Sequence, residues 1–346
     1  MYDFFFEYGL FSAKAVTLIG ALLVALFFIL LMVATRQREK ESIEIENLNE
    51  KLDEMRDALE SELLSKDELK ALKKDRKKKE KEKAKLEKKR AKEGITEPQR
   101  QRIFVLRFNG DMHASEVDSF REAITAVLMV AKPEDEVCVI LDSAGGIVHN
   151  YGLAASELTR IRQRKIPLVI SIDLVAASGG YLMASVANKI IAAPFAIVGS
   201  IGVLGQVPNF YRFLKKHDID VEQLTAGEYK TTLTMFGENT NKARDKFKQE
   251  LEETHVLFKR FIREYRPIVD IEKLATGEYW YGTQALELKL VDELMTSDDY
   301  LLTRRMNSDI FEVSYVFQET LTDKISSILH GVSSRLVRGL FKAPIP

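Results

Sequence analysis

A serine followed by two glycines stands where an apolar run gives way to a predicted helix, in the stretch VAASGGYLMA at residues 175–184. A serine at a helix N-terminus lies near free N–H groups and the positive end of the helix dipole, which favour a developing negative charge. Gly179 would let a substrate come close to its backbone N–H, as one donor of an oxyanion hole requires. Ser178 is therefore a candidate nucleophile, although a serine that only caps the helix is a very common alternative.

A second glycine-rich turn lies at Gly145 and Gly146, in LDSAGGIVHN at residues 141–150. It also falls between a predicted strand and a predicted helix. A backbone N–H group of this turn could supply the second donor of an oxyanion hole. The alternative is a tight turn that needs glycine only for its backbone angles.

A serine nucleophile needs a base within hydrogen-bond reach. The three histidines that follow Ser178 lie in a charged segment, on an amphipathic helix and in the C-terminal tail, and none has the setting of a base at a strand end: His217, His255 and His330. Lys230 lies in TAGEYKTTLTMF, among small, aromatic and hydroxyl residues rather than in a charge run. Because a lysine that is removed from water gives up its proton more readily, Lys230 is the candidate base.

Predicted strands and helices alternate from residue 103 onward, which indicates an α/β fold with a parallel sheet covered on both faces. The expected strands are 103–108, 136–142, 166–173 and 189–194, and the expected helices are 116–130, 148–164, one from Ser178 and 242–265. Active sites of such folds lie at the carboxyl ends of strands, where both glycine-rich turns fall. Residues 190–211 carry no charge, but their prolines, glycines and polar residues favour buried strands and turns over a second membrane span.

Four motifs together resemble the signal peptide peptidase A family of bacterial membrane peptidases, in its SohB branch. They are AASGGY at 176–181, the Gly-Gly turn at 145–146, GEYK at 227–230 and YGTQALELKLVDEL at 281–294. The resemblance covers about residues 103–301. It implies a Clp protease/crotonase-like fold and assembly into homo-oligomeric rings.

The resemblance also implies roles for individual residues. Ser178 would be the nucleophile and Lys230 the general base, with Ser200 orienting the lysine. The oxyanion hole would consist of the backbone N–H groups of Gly179 and of Gly145 or Gly146. In this chain the turn Asp-Ser-Ala-Gly-Gly at 142–146 replaces the family's usual Asn-Ser/Thr-Pro-Gly-Gly.

Two further segments precede the predicted domain. Residues 15–34 are uncharged and long enough to cross a bilayer as a helix, so we expect a single-pass anchor in the bacterial inner membrane over 1–35. A cleaved signal peptide is less favoured, because the apolar run is long and no small-x-small site closes it. Lysines and arginines are more frequent after the span, which favours a cytoplasmic domain, whereas the family's best-known members act outside the membrane.

The segment 36–102 is rich in charge, and we expect a helical or disordered linker, with contact to anionic lipid or nucleic acid as the alternative. The tail from 309 to 346 contains a predicted amphipathic helix at 325–341 that would dock on a neighbouring subunit or, less favoured, on the membrane surface. The predicted peptidase domain therefore extends over 103–308.

The composition argues against several kinds of binding site. The net charge is −1, so the whole chain gives no argument for nucleic-acid binding. The single cysteine, Cys138, excludes a disulfide within one chain and is expected to be a buried hydrophobic residue. The five histidines have no metal-ligand spacing, so we expect neither a metal site nor a cofactor.

The sequence thus predicts a membrane-anchored serine endopeptidase that uses Ser178 and Lys230 and works through an acyl-enzyme. Its expected substrates are unfolded or membrane-derived peptides, such as remnant signal peptides. A crotonase-like acyl-CoA enzyme is one alternative, because such enzymes share the fold and the oxyanion turns but usually use acidic catalytic groups. A catalytically silent membrane scaffold is the other.

Overall fold

The computed structural model describes residues 9–11, 14, 16–22, 41–92 and 100–317. The chain divides into two compact units, one of Met1–Glu44 with Tyr315–Pro346 and the other of Ile45–Ser314. The predicted tail helix at 325–341 and most of the predicted anchor lie outside the described residues. Within the described ranges, no helix combines the length and the apolar character that crossing a membrane requires.

The described part of the chain contributes ten strands to one sheet: β1 (Glu41–Asn47), β2 (Gln101–Gly110), β3 (Glu136–Ser143), β4 (Leu168–Ile172), β5 (Val175–Ala177), β6 (Lys189–Ala192), β7 (Ile197–Gly199), β8 (Tyr279–Tyr281), β9 (Glu293–Leu294) and β10 (Ser308–Phe317). Its main part has the order β10-β2-β3-β4-β6-β9, and every neighbouring pair in this order is parallel. Strand β5 leaves this row and pairs with both β3 and β7, and β7 pairs antiparallel with β8. The prediction of a parallel sheet in an α/β fold is confirmed.

The described residues 41–92 and 100–317 contain ten helices: α1 (Leu48–Leu63), α2 (Lys66–Lys92), α3 (Val117–Val130), α4 (Val148–Gln163), α5 (Gly179–Ala184), α6 (Tyr211–Lys216), α7 (Asn241–Tyr265), α8 (Ile271–Leu274), α9 (Gly282–Glu287) and α10 (Ser297–Arg304). The apolar residues of α3 recur at helical spacing and form its buried face, which is Phe120, Ala123, Ile124, Val127 and Leu128. The helices expected at 116–130, 148–164 and 242–265 agree with α3, α4 and α7 to within one residue at each end.

The compact unit that holds the sheet begins at Ile45, well before the expected domain start at 103. Leu48 at the start of α1 is buried in the core cluster. The Asn49 side chain donates to the carbonyl oxygens of Arg305 and Ser308 at 3.2 and 3.1 Å and accepts from the N–H of Ile310 at 2.7 Å. Helix α1 is therefore part of the folded unit, although its charge pattern suggested a linker.

The uncharged stretch 190–211 lies inside the α/β domain. Strands β6 and β7 fall within it, and Ile190, Ile191 and Val198 are fully buried. Its apolar character comes from packing within the sheet. Residues 190–201 form the expected strands and turns, and most of them are buried, whereas residues 202–210 are partly or fully exposed.

Candidate active site

Ser178 lies at the junction between the end of β5 and the start of α5, in a strained backbone conformation. Its φ of 53° and ψ of −120° fall in a region that residues with a side chain rarely adopt. The Ser178 N–H donates to the carbonyl oxygen of Gly199 at 2.8 Å, and the Ser178 carbonyl accepts from the N–H of Leu182 at 3.0 Å. The Ser178 hydroxyl makes no capping hydrogen bond, so helix capping does not explain this serine.

The turn at 143–146 touches the turn that carries Ser178. Parallel pairing of Ser143 with Ala176 brings the ends of β3 and β5 together. A Cβ atom on Gly145 would lie 2.6 Å from the nitrogen of Gly179 and 2.8 Å from the Cβ of Ser178. Gly145 also has a positive φ of 83°, so no larger residue fits there. The structure thus joins the two glycine-rich turns that the sequence singled out.

Some backbone N–H groups of the two turns are already hydrogen-bonded within the protein, and others are free to bind a substrate oxygen. Gly145 donates its N–H to the Ser143 hydroxyl at 3.1 Å. The N–H groups of Gly146 and Gly179 have no acceptor within the described part of the chain. Of the two candidates in the first turn, Gly146 is therefore the one whose N–H is free for a substrate oxygen.

A buried network holds the first turn in place. The Ser143 hydroxyl lies 2.5 Å from the Tyr151 hydroxyl and 3.0 Å from the carbonyl oxygen of Gly110, and its single proton is available to either of these acceptors. Tyr151 also donates to the carbonyl oxygen of Asp111 at 2.6 Å. Burial raises the pKa of the Tyr151 phenol, so it stays protonated and able to donate. These side chains hold the turn at 143–146 in place.

Ser200 lies next to the residue that binds the Ser178 backbone. Strands β5 and β7 pair in parallel, with Ala177 opposite Gly199, and Ser200 follows Gly199 directly. Its φ is 50°, and its N–H donates to the carbonyl oxygen of Glu278 at 2.6 Å. The sheet therefore brings Ser200 to the same edge as Ser178.

Lys230 lies in a segment, 221–230, whose residues are all exposed. It is exposed, in a turn where its N–H donates to the carbonyl oxygen of Gly227 at 3.3 Å. In the described structure no hydrogen bond joins the Lys230 ammonium to the Ser178 hydroxyl. The sheet and the two turns bring Ser178, Ser200 and the glycines together, whereas Lys230 is exposed and does not line the cavity beside Ser178.

Ser178 opens into a cavity of about 440 Å³ between α4, α5 and α7. The walls are mostly apolar, and they also include His149 and the glycines of the site. The cavity is lined by Gly146, Val148, His149, Tyr151, Gly152, Ser156, Ser178, Gly179, Leu182, Gly202, Val203, Thr254, Leu257, Phe258 and Phe261. No aspartate or glutamate lines this cavity among the described residues.

The sequence did not identify the side chains that form this cavity. Helix α7 was expected to be amphipathic, but the pattern did not reveal that Leu257, Phe258 and Phe261 face Ser178. His149 was not predicted as a site residue, because it precedes Ser178 in the chain and the candidate bases were histidines that follow the serine. Its position three residues after Gly146 is the signal that could have pointed to it.

Residues 3–158 match the family model described as "Peptidase family S49 N-terminal", and residues 160–310 match "Peptidase family S49". The chain is 47% identical to the "Probable protease SohB" of Haemophilus influenzae, over 97% of this chain and 98% of that protein. It is 50% identical to the "Probable protease SohB" of Buchnera aphidicola subsp. Acyrthosiphon pisum, over 72% of this chain and 74% of that protein. "Protease 4" of Haemophilus influenzae is 26% identical, over 68% of this chain and 41% of that protein. These similarities confirm the resemblance drawn from the motifs: the chain belongs to peptidase family S49.

Proposed function

We propose that this peptidase is a serine endopeptidase in which Ser178 attacks the carbonyl carbon of a peptide bond. The backbone geometry of Ser178 carries the proposal. A strained serine between a strand and a helix, with no capping hydrogen bond and a cavity before it, is the arrangement that an exposed nucleophile needs. Attack breaks the peptide C–N bond, releases the amine and leaves an acyl group on the Ser178 oxygen. Water then hydrolyses this ester.

The negative charge of the tetrahedral intermediate would be held by the N–H groups of Gly179 and Gly146. Both groups lack an acceptor in the described structure, and the close contact of Gly145 with Gly179 places their two turns side by side. Donors that are already in place need no rearrangement as the charge develops. The branch of the sheet through β5, β7 and β8 supports a Clp protease/crotonase-like domain as the frame for this site.

Lys230 is the proposed base, and we assign it to Ser178 of a second copy within a homo-oligomeric ring. The segment that carries Lys230 exposes large apolar side chains, among them Ile219 at 50% and Leu224 at 93%. Exposed apolar surface of this kind marks contact sites between proteins. A lysine enclosed by a second copy would leave water, accept the Ser178 proton and pass it to the departing amine. Ser200 would orient the lysine.

The proposed substrates are unfolded or membrane-derived peptides, such as remnant signal peptides. The apolar cavity beside Ser178 suits an apolar side chain of the substrate. Residues 15–34 would anchor the enzyme in the inner membrane, close to such peptides. The absence of acidic side chains from the cavity lining in the described structure favours a peptidase over a crotonase-like acyl-CoA enzyme.

The test is hydrolysis of a quenched fluorescent apolar peptide by the full chain in detergent. Wild type and Ser156→Ala are expected to cleave it, whereas Ser178→Ala is expected to be inactive. Ser156 is the matched control, because it lines the same cavity but bonds its hydroxyl to Gly152 within α4. Cleavage by Ser178→Ala at the wild-type rate would remove Ser178 from the mechanism.

A further inference from the structure

The polar side chains that line the cavity beside Ser178 are mostly committed to hydrogen bonds within the protein. Ser156 donates to the carbonyl oxygen of Gly152 at 2.7 Å, and Thr254 donates to that of Glu250 at 2.8 Å. Tyr151 is held by Ser143 and Asp111, as described above. Two polar side chains of the lining have no hydrogen-bond partner within the described structure, namely those of Ser178 and His149.

His149 is the second residue of α4 and is exposed at the cavity. A neutral imidazole carries one N–H donor and one acceptor nitrogen, and the protonated ring carries two donors. His149 can therefore offer an N–H group to a bound molecule at any working pH. The first turn of α4 contains no acidic residue that would compete for this donor.

A peptide that places an apolar side chain in the cavity brings its polar backbone with it. A backbone carbonyl that leaves water without a new hydrogen-bond partner weakens binding, because its desolvation is not compensated. The apolar walls formed by Leu182, Val203 and Phe258 offer no donor. Gly146 and Gly179 would be occupied by the carbonyl under attack, so His149 is the side-chain donor that remains for a second carbonyl.

We infer that His149 is a specificity-determining residue that donates a hydrogen bond to a substrate backbone carbonyl beside the apolar side chain held in the cavity. This inference rests on the proposed peptidase function. The ligand would be a peptide that has an apolar side chain and, next to it, a backbone carbonyl that can accept a hydrogen bond. The contact forms in the bound substrate and persists in the transition state, so it contributes to binding more than to the chemical step.

The experiment compares KM and kcat of the full chain and its variants in detergent with an apolar fluorescent peptide. His149→Ala is expected to raise KM about three- to tenfold with kcat within about twofold of wild type, as loss of one neutral hydrogen bond predicts. His149→Gln keeps an N–H donor and is expected to recover most of the loss. His113→Ala, the matched control, removes an exposed imidazole that does not line the cavity, and it is expected to leave KM unchanged.

The outcomes separate this inference from the function on which it rests. An unchanged KM in His149→Ala, or a KM for His149→Gln as high as that of His149→Ala, would overturn the role of His149 and leave the peptidase in place. An inactive wild-type protein would instead overturn the proposed function and this inference together. A rise in KM that Gln reverses supports the hydrogen bond to substrate.

Discussion

The backbone N–H of Ser178 donates to the carbonyl oxygen of Gly199 at 2.8 Å, which ties the candidate nucleophile to the end of strand β7. The residue after Gly199 is Ser200, also with a positive φ. One backbone hydrogen bond thus sets the positions of two serines that come from different strands. It explains how Ser200 could assist Ser178, although 22 positions separate them in the chain.

Replacement of Ser200 with alanine tests this assistance. If Ser200 orients the lysine, Ser200→Ala is expected to lower kcat about tenfold or more, because a misplaced base transfers protons poorly. KM should change little, since Ser200 does not line the apolar cavity. Steady-state kinetics on the fluorescent peptide checks both values. A kcat equal to that of wild type would mean that Ser200 only completes the turn.

Replacement of Lys230 with arginine tests whether Lys230 acts as a base or only supplies a positive charge. Arginine keeps the positive charge but does not release its proton in proteins. We expect Lys230→Arg to be as inactive as Lys230→Ala in peptide hydrolysis. The exposed Lys242, which pairs with Glu228, is the matched control, and Lys242→Arg should retain activity. Substantial hydrolysis by Lys230→Arg would assign the base elsewhere.

Mixing two inactive variants tests whether Lys230 comes from a second copy. Ser178→Ala supplies an intact lysine and Lys230→Ala supplies an intact serine, so a mixed oligomer should regain hydrolysis. Subunit exchange is checked by energy transfer between differently labelled copies. Exchange without any recovery of hydrolysis would contradict a site shared between two copies.

The Tyr151 hydroxyl links Ser143 and Asp111 beneath the first glycine turn. Tyr151→Phe keeps the ring and removes this link, so it is expected to lower the free energy of unfolding by about 1 kcal/mol. A looser turn would also displace the N–H of Gly146 and lower kcat. Denaturant unfolding and peptide kinetics measure the two effects. An unchanged kcat would show that Ser143 alone holds the turn.

Much of the fold followed from the sequence because its main signals are local. The apolar run at 136–142 forms the central strand β3, and parallel strands place their carboxyl ends at one edge. That rule alone predicted that Gly145 and Ser178 would lie together. The pairing of β5 with β7, which brings in Ser200, depends on contacts between distant segments and has no local pattern.

Some contacts of the folded chain could not be predicted from the sequence, because the residues around them give no local signal. Asn49 lies in a charge-rich segment, and the residues near it do not predict its three hydrogen bonds to Arg305, Ser308 and Ile310. The apolar face of α7 was visible, but only the folded chain shows that Phe258 and Phe261 face Ser178. Lys230 was proposed as the base because small, aromatic and hydroxyl residues surround it in the sequence, but that local pattern did not predict that its side chain is exposed.

A truncation measures how much α1 contributes to the folded unit. A protein that begins at Glu97 lacks the buried Leu48 and the hydrogen bonds of Asn49, whereas one that begins at Ile45 keeps them. We expect the shorter protein to be less stable by about 3 kcal/mol or more, from the lost apolar burial and hydrogen bonds. Denaturant unfolding of both proteins gives the difference. Equal stabilities would make residues 45–96 a true linker.

The central claim, that Ser178 is the nucleophile, is tested most directly by a fluorophosphonate that forms a covalent bond only with an activated serine. Mass spectrometry of the full chain after labelling should locate a single adduct on Ser178, with hydrolysis lost in proportion to labelling. Ser178→Ala should remain unlabelled and inactive, and Ser156→Ala should be labelled like wild type. An adduct on another serine, or hydrolysis that persists in Ser178→Ala, would contradict the mechanism.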